Sequence, residues 1–112
     1  LESQDRPACY VEVKNCHLMR TPGLAEFPDS VTTRGAKHLG ELSEMVRQGH
    51  RAAQLFIVQR PDCKALSPAG DLDPTYAQAL RAAAAAGVEV MAWACAVTVE
   101  GIGVIREIEV KL

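Results

Sequence analysis

The chain has 112 residues, 12 basic and 14 acidic side chains and a formal net charge of -2. It is one domain's worth of ordinary globular composition, 48% hydrophobic and 23% charged, which excludes a disordered tail, a collagen-like chain and a coiled coil. No apolar run approaches the roughly 20 residues needed to span a bilayer, aromatics at 4% are too sparse for an extended base-stacking platform, and no global positive field draws in nucleic acid.

At the left end, Leu1-Glu2 leads through a polar turn, residues 3–7, into an alternating segment at 9–14 (CYVEVK). This reads as the second half of a hairpin whose first strand is nearly absent, so the chain is expected to start inside a larger fold. In the alternating segment Tyr10, Glu12 and Lys14 share one face, and Cys9, Val11 and Val13 share the other. Residues 15–31 hold the breakers Pro22, Gly23 and Pro28 and read as a long loop, of the kind that often carries function. Asp29 and Ser30 are the N-cap candidates for the segment that follows.

Residues 33–48 read as an amphipathic helix, with Leu39, Leu42, Met45 and Val46 at steps of three and four and Gly49 as the stop. Residues 52–59 (AAQLFIVQ) are a nearly continuous apolar run, which predicts a central strand covered on both faces. Residues 60–72 read as a polar loop. Asp73-Pro74 then opens a second helix that runs through five alanines to Gly87. That alanine content predicts close approach to the sheet, although helix propensity explains part of it. Strands are expected at 88–99 and 102–112, joined by a turn at Glu100-Gly101. The order β-α-β-α-β-β predicts an α/β sandwich with a partly parallel sheet and an antiparallel last pair.

The four cysteines, Cys9, Cys16, Cys63 and Cys95, have irregular spacing and no CxxC pair. They read as reduced, mostly buried thiols of a cytoplasmic protein rather than a disulfide framework. Cys16-His17 has no second pair at ligand spacing, so no zinc site is expected. No phosphate-cradling glycine pattern and no nucleophile elbow around Ser43 or Ser67 occurs.

The strongest chemical candidate is Glu12-Val13-Lys14. On a strand, Glu12 and Lys14 project the same way. The carboxylate can hold a divalent metal, and the ammonium can position a water or stabilise a developing phosphate charge, as a metal-dependent phosphodiesterase needs. Glu109-Val110-Lys111 repeats the tripeptide on another expected strand. One copy at least is therefore chance or a plain ion pair. The second candidate is the first helix, where Arg34, Lys37, His38 and Glu41 lie opposite the apolar stripe. Cations in its N-terminal half oppose the helix dipole. Phosphate binding is one reason to place them there, and a solvated face with Glu41 as partner is the other.

Val11-Glu12-Val13-Lys14-Asn15, followed by the run Phe27-Pro28-Asp29-Ser30-Val31-Thr32-Thr33-Arg34-Gly35-Ala36-Lys37-His38-Leu39, resembles the sugar fermentation stimulation protein A family. Ser67-Pro68, Asp73-Pro74 and Gly87-Val88-Glu89-Val90 fit its C-terminal part. The resemblance implies a restriction-endonuclease-like α/β domain of the PD-(D/E)xK type, a mixed sheet flanked by helices, occupying residues 1–112. It implies a DNA-binding protein that regulates maltose metabolism and binds DNA without sequence preference. In the nuclease pattern Glu12 and Lys14 are the ExK pair with Mg²⁺ or Mn²⁺ as cofactor, the Val13 carbonyl is a further metal ligand, and Thr32, Arg34, Lys37 and His38 line the same cleft. The pattern also needs an acidic residue on the preceding strand, of which only Leu1-Glu2 is present. The expectation is that this aspartate lies upstream of residue 1, and that the N-terminal part of the fold and an OB-like domain are missing from the chain. The alternative is a non-catalytic DNA-binding or partner-binding module in which Glu12 and Lys14 form only an ion pair.

Overall fold

A computed structural model describes residues 8–98 and 100–112. The expected first strand at Leu1-Glu2 lies outside them. The elements run β1 (Cys9–Cys16), β2 (Leu18–Thr21), β3 (Leu24–Phe27), α1 (Thr33–Arg47), β4 (Arg51–Val58), β5 (Ala65–Pro68), α2 (Pro74–Ala86), β6 (Glu89–Thr98) and β7 (Gly101–Val110). Seven strands form one mixed sheet in the order β1-β4-β6-β7-β5-β3-β2. The segments β1, β4 and β6 are parallel neighbours, and β6 and β7 are antiparallel. The α/β class and the order of the long elements are as expected.

Three short strands add to that order. The loop expected at 15–31 contains the antiparallel pair β2 and β3, turned at Pro22-Gly23 with Gly23 at φ +82°. Proline at the first turn position and a left-handed glycine at the second are what a type II turn requires. The loop expected at 60–72 contains β5, parallel to both β3 and β7. A four-residue strand buries too little surface to show a period of its own. Pairing with segments distant in sequence makes these strands.

Both helices lie on one face of the sheet. Leu39 and Leu42 of α1 and Tyr76, Leu80 and Ala83 of α2 meet Ala52, Phe56 and Val58 of β4, Ala92 and Ala94 of β6, and Leu66 of β5. In the alanine run Ala83 is buried while Ala82, Ala85 and Ala86 are exposed, so close packing and helix propensity share it. Gly87 ends α2 in the left-handed conformation, φ +108°, that favours glycine. The reverse face differs from expectation. Ala53 of β4 is buried but Leu55 and Ile57 are only half-buried, and Val11 and Val13 beside them are more than half exposed. Among the described residues β4 is thus covered fully on its helix side alone.

Thr32, not Asp29 or Ser30, caps α1. Its hydroxyl accepts from Gly35 N at 3.0 Å. Asp29 and Ser30 fall too early for the helix start at Thr33, and both are exposed. Asp73 caps α2 by accepting from Tyr76 N at 3.0 Å, and its second oxygen accepts from Thr32 N at 2.8 Å. One carboxylate therefore ties the starts of both helices, and these backbone hydrogen bonds lower its pKa. Cys16, Cys63 and Cys95 are buried free thiols and Cys9 is exposed.

Candidate functional site

Strand alternation puts Glu12 and Lys14 on the helix-facing side of β1, where α1 crosses it. His38, one turn into α1, reaches them. Lys14 Nζ is 3.2 Å from His38 Nδ1. The same ring nitrogen is 3.4 Å from Glu12 Oε1, and Lys14 Nζ is 4.0 Å from Glu12 Oε2. The three side chains are 33% (Glu12), 19% (Lys14) and 20% (His38) exposed, so they interact more strongly than a free surface pair while remaining open to a ligand. A groove of about 400 Å³ opens beside them, lined by Tyr10, Glu12, His38, Glu41 and Met45 among others.

Beside Glu12 on the neighbouring strand β4 lies its register partner Gln54, fully buried. Gln54 Nε2 donates to the Glu12 backbone carbonyl at 3.1 Å, while its Oε1 has no hydrogen-bond partner. Tyr76 is fully buried as well, and its hydroxyl is also without a partner. Burial pushes the pKa of this phenol up, and the negative charge of Glu12 adds to the shift. Gln54, Tyr76, Tyr10 and Met45 were not among the residues expected at the site. The signal for Gln54 was present, a polar side chain interrupting the apolar run of β4.

The other expected site residues are spread out. Thr32 is occupied as the α1 cap and lines a separate small cavity with Val31, Asp73 and Thr75. Arg34 and Lys37 are exposed on α1 and form no ion pair among the described residues. The Val13 side chain is on the reverse face. Ala8 O accepts from Arg51 N and Cys16 O from Gln59 N, so the even-numbered residues of β1 bond to β4. The Val13 amide and carbonyl therefore face away from β4, on the outer edge of the sheet that the described residues form. The two EVK copies also differ. Glu109 and Lys111 are exposed at the end of β7, the middle strand of the seven, and among the described residues no histidine pairs with them.

Among the described residues no three His, Cys, Asp or Glu side chains gather as a metal site. What they offer is the two oxygens of the Glu12 carboxylate, part-exposed beside the groove. Such hard oxygen donors fit a Mg²⁺ or Mn²⁺ ion that keeps most of its water and takes one or two carboxylates.

Residues 1–101 match the family model described as "Sugar fermentation stimulation protein RE domain". The sugar fermentation stimulation protein homolog of Maricaulis maris (strain MCS10) is 60% identical over 112 residues, covering 100% of this chain and 48% of that protein. The homolog of Caulobacter vibrioides is 53% identical over 108 residues, covering 96% of this chain and 45% of that protein. The chain thus spans about half the length of the curated relatives it matches. Among solved structures, that of Pyrococcus furiosus SfsA in complex with Ca²⁺ superposes with a TM-score of 0.86 at 33% identity, covering 93% of this chain and 45% of that one. By sequence and by fold, the chain belongs to the sugar fermentation stimulation protein family and corresponds to the part of it described as the RE domain.

Proposed function

We propose that the chain carries the catalytic half of a DNA-binding protein that cleaves phosphodiester bonds with the help of Mg²⁺ or Mn²⁺. The observation that carries this reading is the meeting of a carboxylate, an ammonium and an imidazole within 4.0 Å, beside a groove that Glu12 and His38 line. Glu12 would hold the cation, with the edge-facing Val13 carbonyl as a second oxygen. A bound divalent ion supplies Lewis-acid polarisation of the phosphoryl group and a water of lowered pKa. Lys14 directs its protons at the attacking water or the phosphate oxygens. His38 holds Lys14 in place and offers its other ring nitrogen to the groove. Arg34 and Lys37, exposed on α1 and in no ion pair among the described residues, would neutralise DNA phosphates on the approach, with Thr32 at the start of the same helix.

The Ca²⁺ in the Pyrococcus furiosus structure supports a cation in the family's fold, because Ca²⁺ and Mg²⁺ share oxygen ligands. Contacts to backbone phosphates make the expected binding independent of sequence. DNA binding is also what a regulator of maltose metabolism needs, the role that the family resemblance implies. A cytoplasmic location belongs to the same reading and is supported by the buried free thiols.

The second reading is a DNA-binding or partner-binding module that does not cut. It is favoured by the 4.0 Å Glu12–Lys14 pair and by the lack of a three-ligand cluster among the described residues. A cleavage assay on plasmid and single-stranded DNA with Mg²⁺ or Mn²⁺ separates the two. Metal-dependent cleavage supports the first reading. Retained binding without cleavage supports the second.

A further inference from the structure

The groove beside Glu12 differs in character from the charged side chains at its edge. Val11, Leu42 and Met45 line it with apolar surface, and Tyr10 adds an aromatic ring. Among the described residues no lysine or arginine lines it, while the carboxylates of Glu12 and Glu41 do. Its volume of about 400 Å³ lies at the low end of small-ligand pockets, about 300–1,000 Å³.

Tyr10 is 42% exposed, yet its ring is held. It packs against His50 in a T-shaped contact, with centroids 5.4 Å apart and 73° between the planes. His50 is fixed in turn, since its Nδ1 accepts from Ala8 N at 3.0 Å. A held, part-exposed aromatic ring is what a stacking contact needs. Tyr10 and Glu12 share one side of β1 and stand two residues apart, about 7 Å along the strand. That is comparable with the span from a phosphate to the base of its own nucleotide.

We propose that this groove receives one unpaired nucleobase, stacked on Tyr10, when the adjoining phosphate lies at Glu12 and Lys14. The inference rests on the DNA-binding reading given above but not on cleavage. Two carboxylates and no lysine or arginine in the lining disfavour a second phosphate there. The backbone therefore stays outside with Lys14, Arg34 and Lys37, and the uncharged base enters. Room for one base is not room for a base pair. A base in a duplex must first leave its stack and its partner, whereas a single strand offers its bases directly. Single-stranded DNA is thus the favoured substrate class. Stacking tolerates every base, because each has a π-face, so the groove leaves binding independent of sequence. The sparse aromatics exclude an extended stacking platform, but one ring serves one base.

The test uses the full-length gene product in Ca²⁺ and an oligonucleotide rich in 5-iododeoxyuridine, single-stranded and as a duplex. Anisotropy reads the affinities, and irradiation cross-links a base held against an aromatic ring. Wild type is compared with Tyr10→Ala and Tyr10→Phe. The proposal expects Tyr10→Ala to weaken single-strand binding about 5- to 150-fold, the range for one stacked base, with a smaller loss on duplex. Tyr10→Phe should bind like wild type, and the wild-type cross-link should fall on Tyr10. Equal losses on both DNA forms, or unchanged single-strand binding with cross-links elsewhere, overturn the proposal and leave the Glu12 site standing. A lowered thermal midpoint in Tyr10→Ala with unchanged DNA affinity overturns it too, because the groove is then filled by the protein itself. If wild type binds neither DNA form, the DNA-binding reading fails and the proposal falls with it. Should Tyr10→Ala not fold, the wild-type cross-link decides: bound DNA that misses Tyr10 overturns the proposal.

Discussion

Lys14 Nζ stands 3.2 Å from His38 Nδ1, across the seam between strand β1 and helix α1. The two residues are far apart in sequence, and the contact fixes both side chains over Glu12. If Lys14 directs a water or a phosphate oxygen, Lys14→Ala should lower metal-dependent cleavage by about 10²-fold or more, the usual effect of removing one aimed donor. His38→Ala should cost about tenfold, as expected of a residue acting through Lys14. Rate measurements at saturating Mn²⁺ check both. Mn²⁺ affinity should change little in either variant.

The exposed cations of α1 make a separate prediction about binding. Arg34→Glu and Lys37→Glu should each weaken DNA affinity, and each should reduce the slope of log K against log salt by about 1. The loss should be uniform across DNA sequences. Anisotropy titrations at several salt concentrations read it.

Gly35 has a packing role. A Cβ there would meet Thr32 Oγ1 at 2.9 Å and Tyr76 Cε1 at 3.0 Å, with the N-cap on one side and a filled core on the other. Gly35→Ala should therefore destabilise the fold by about 1–3 kcal/mol, despite alanine's better helix propensity. Denaturant unfolding measures the change. The alanine variant of Gly40, where a Cβ would meet nothing within 4 Å, should be neutral or stabilising.

Arg20 ties the β2–β3 pair to the loop before α2, through Glu26 Oε1 at 2.8 Å and Asp71 Oδ2 at 2.7 Å. The Arg20 hydrogen bonds hold the Asp71 pKa down to about 2. A lowered carboxylate contributes stability that is fully present above its ordinary pKa, about 3.9, and is lost as pH falls towards 2. Wild type should thus lose part of its thermal midpoint between about pH 4 and pH 2. Arg20→Met should show a shallower fall over that window. The effect is small because the pair is exposed.

The sequence revealed the long elements because each carries its own period or stop, as in Leu39 and Leu42 on α1 and Gly87 after α2. Glu12 and Lys14 were legible for the same reason, since alternation alone places them on one face. The short strands were not. Leu18–Thr21, Leu24–Phe27 and Ala65–Pro68 owe their conformation to pairing with distant segments. The cap of α1 was misplaced because Asp29, Ser30 and Thr32 are all good capping residues, and only packing against Asp73 selects among them. The contact of His38 with Glu12 depends on the angle at which α1 crosses β1, which no local pattern encodes. Gln54 and Tyr76 are core positions. Their unpaired oxygens emerge only when every neighbour is in place.

The duplicated tripeptide permits the most direct test of the central claim. Plasmid and single-stranded DNA are incubated with Mg²⁺ or Mn²⁺ and full-length protein, as wild type, Glu12→Gln, Lys14→Ala and Glu109→Gln. Cleavage lost in the Glu12 and Lys14 variants and kept in the Glu109 variant is the predicted result. It would locate the chemistry where Glu12, Lys14 and His38 meet. Cleavage that survives Glu12→Gln, or wild-type protein that binds DNA and leaves it intact with either metal, would contradict a catalytic role for this site.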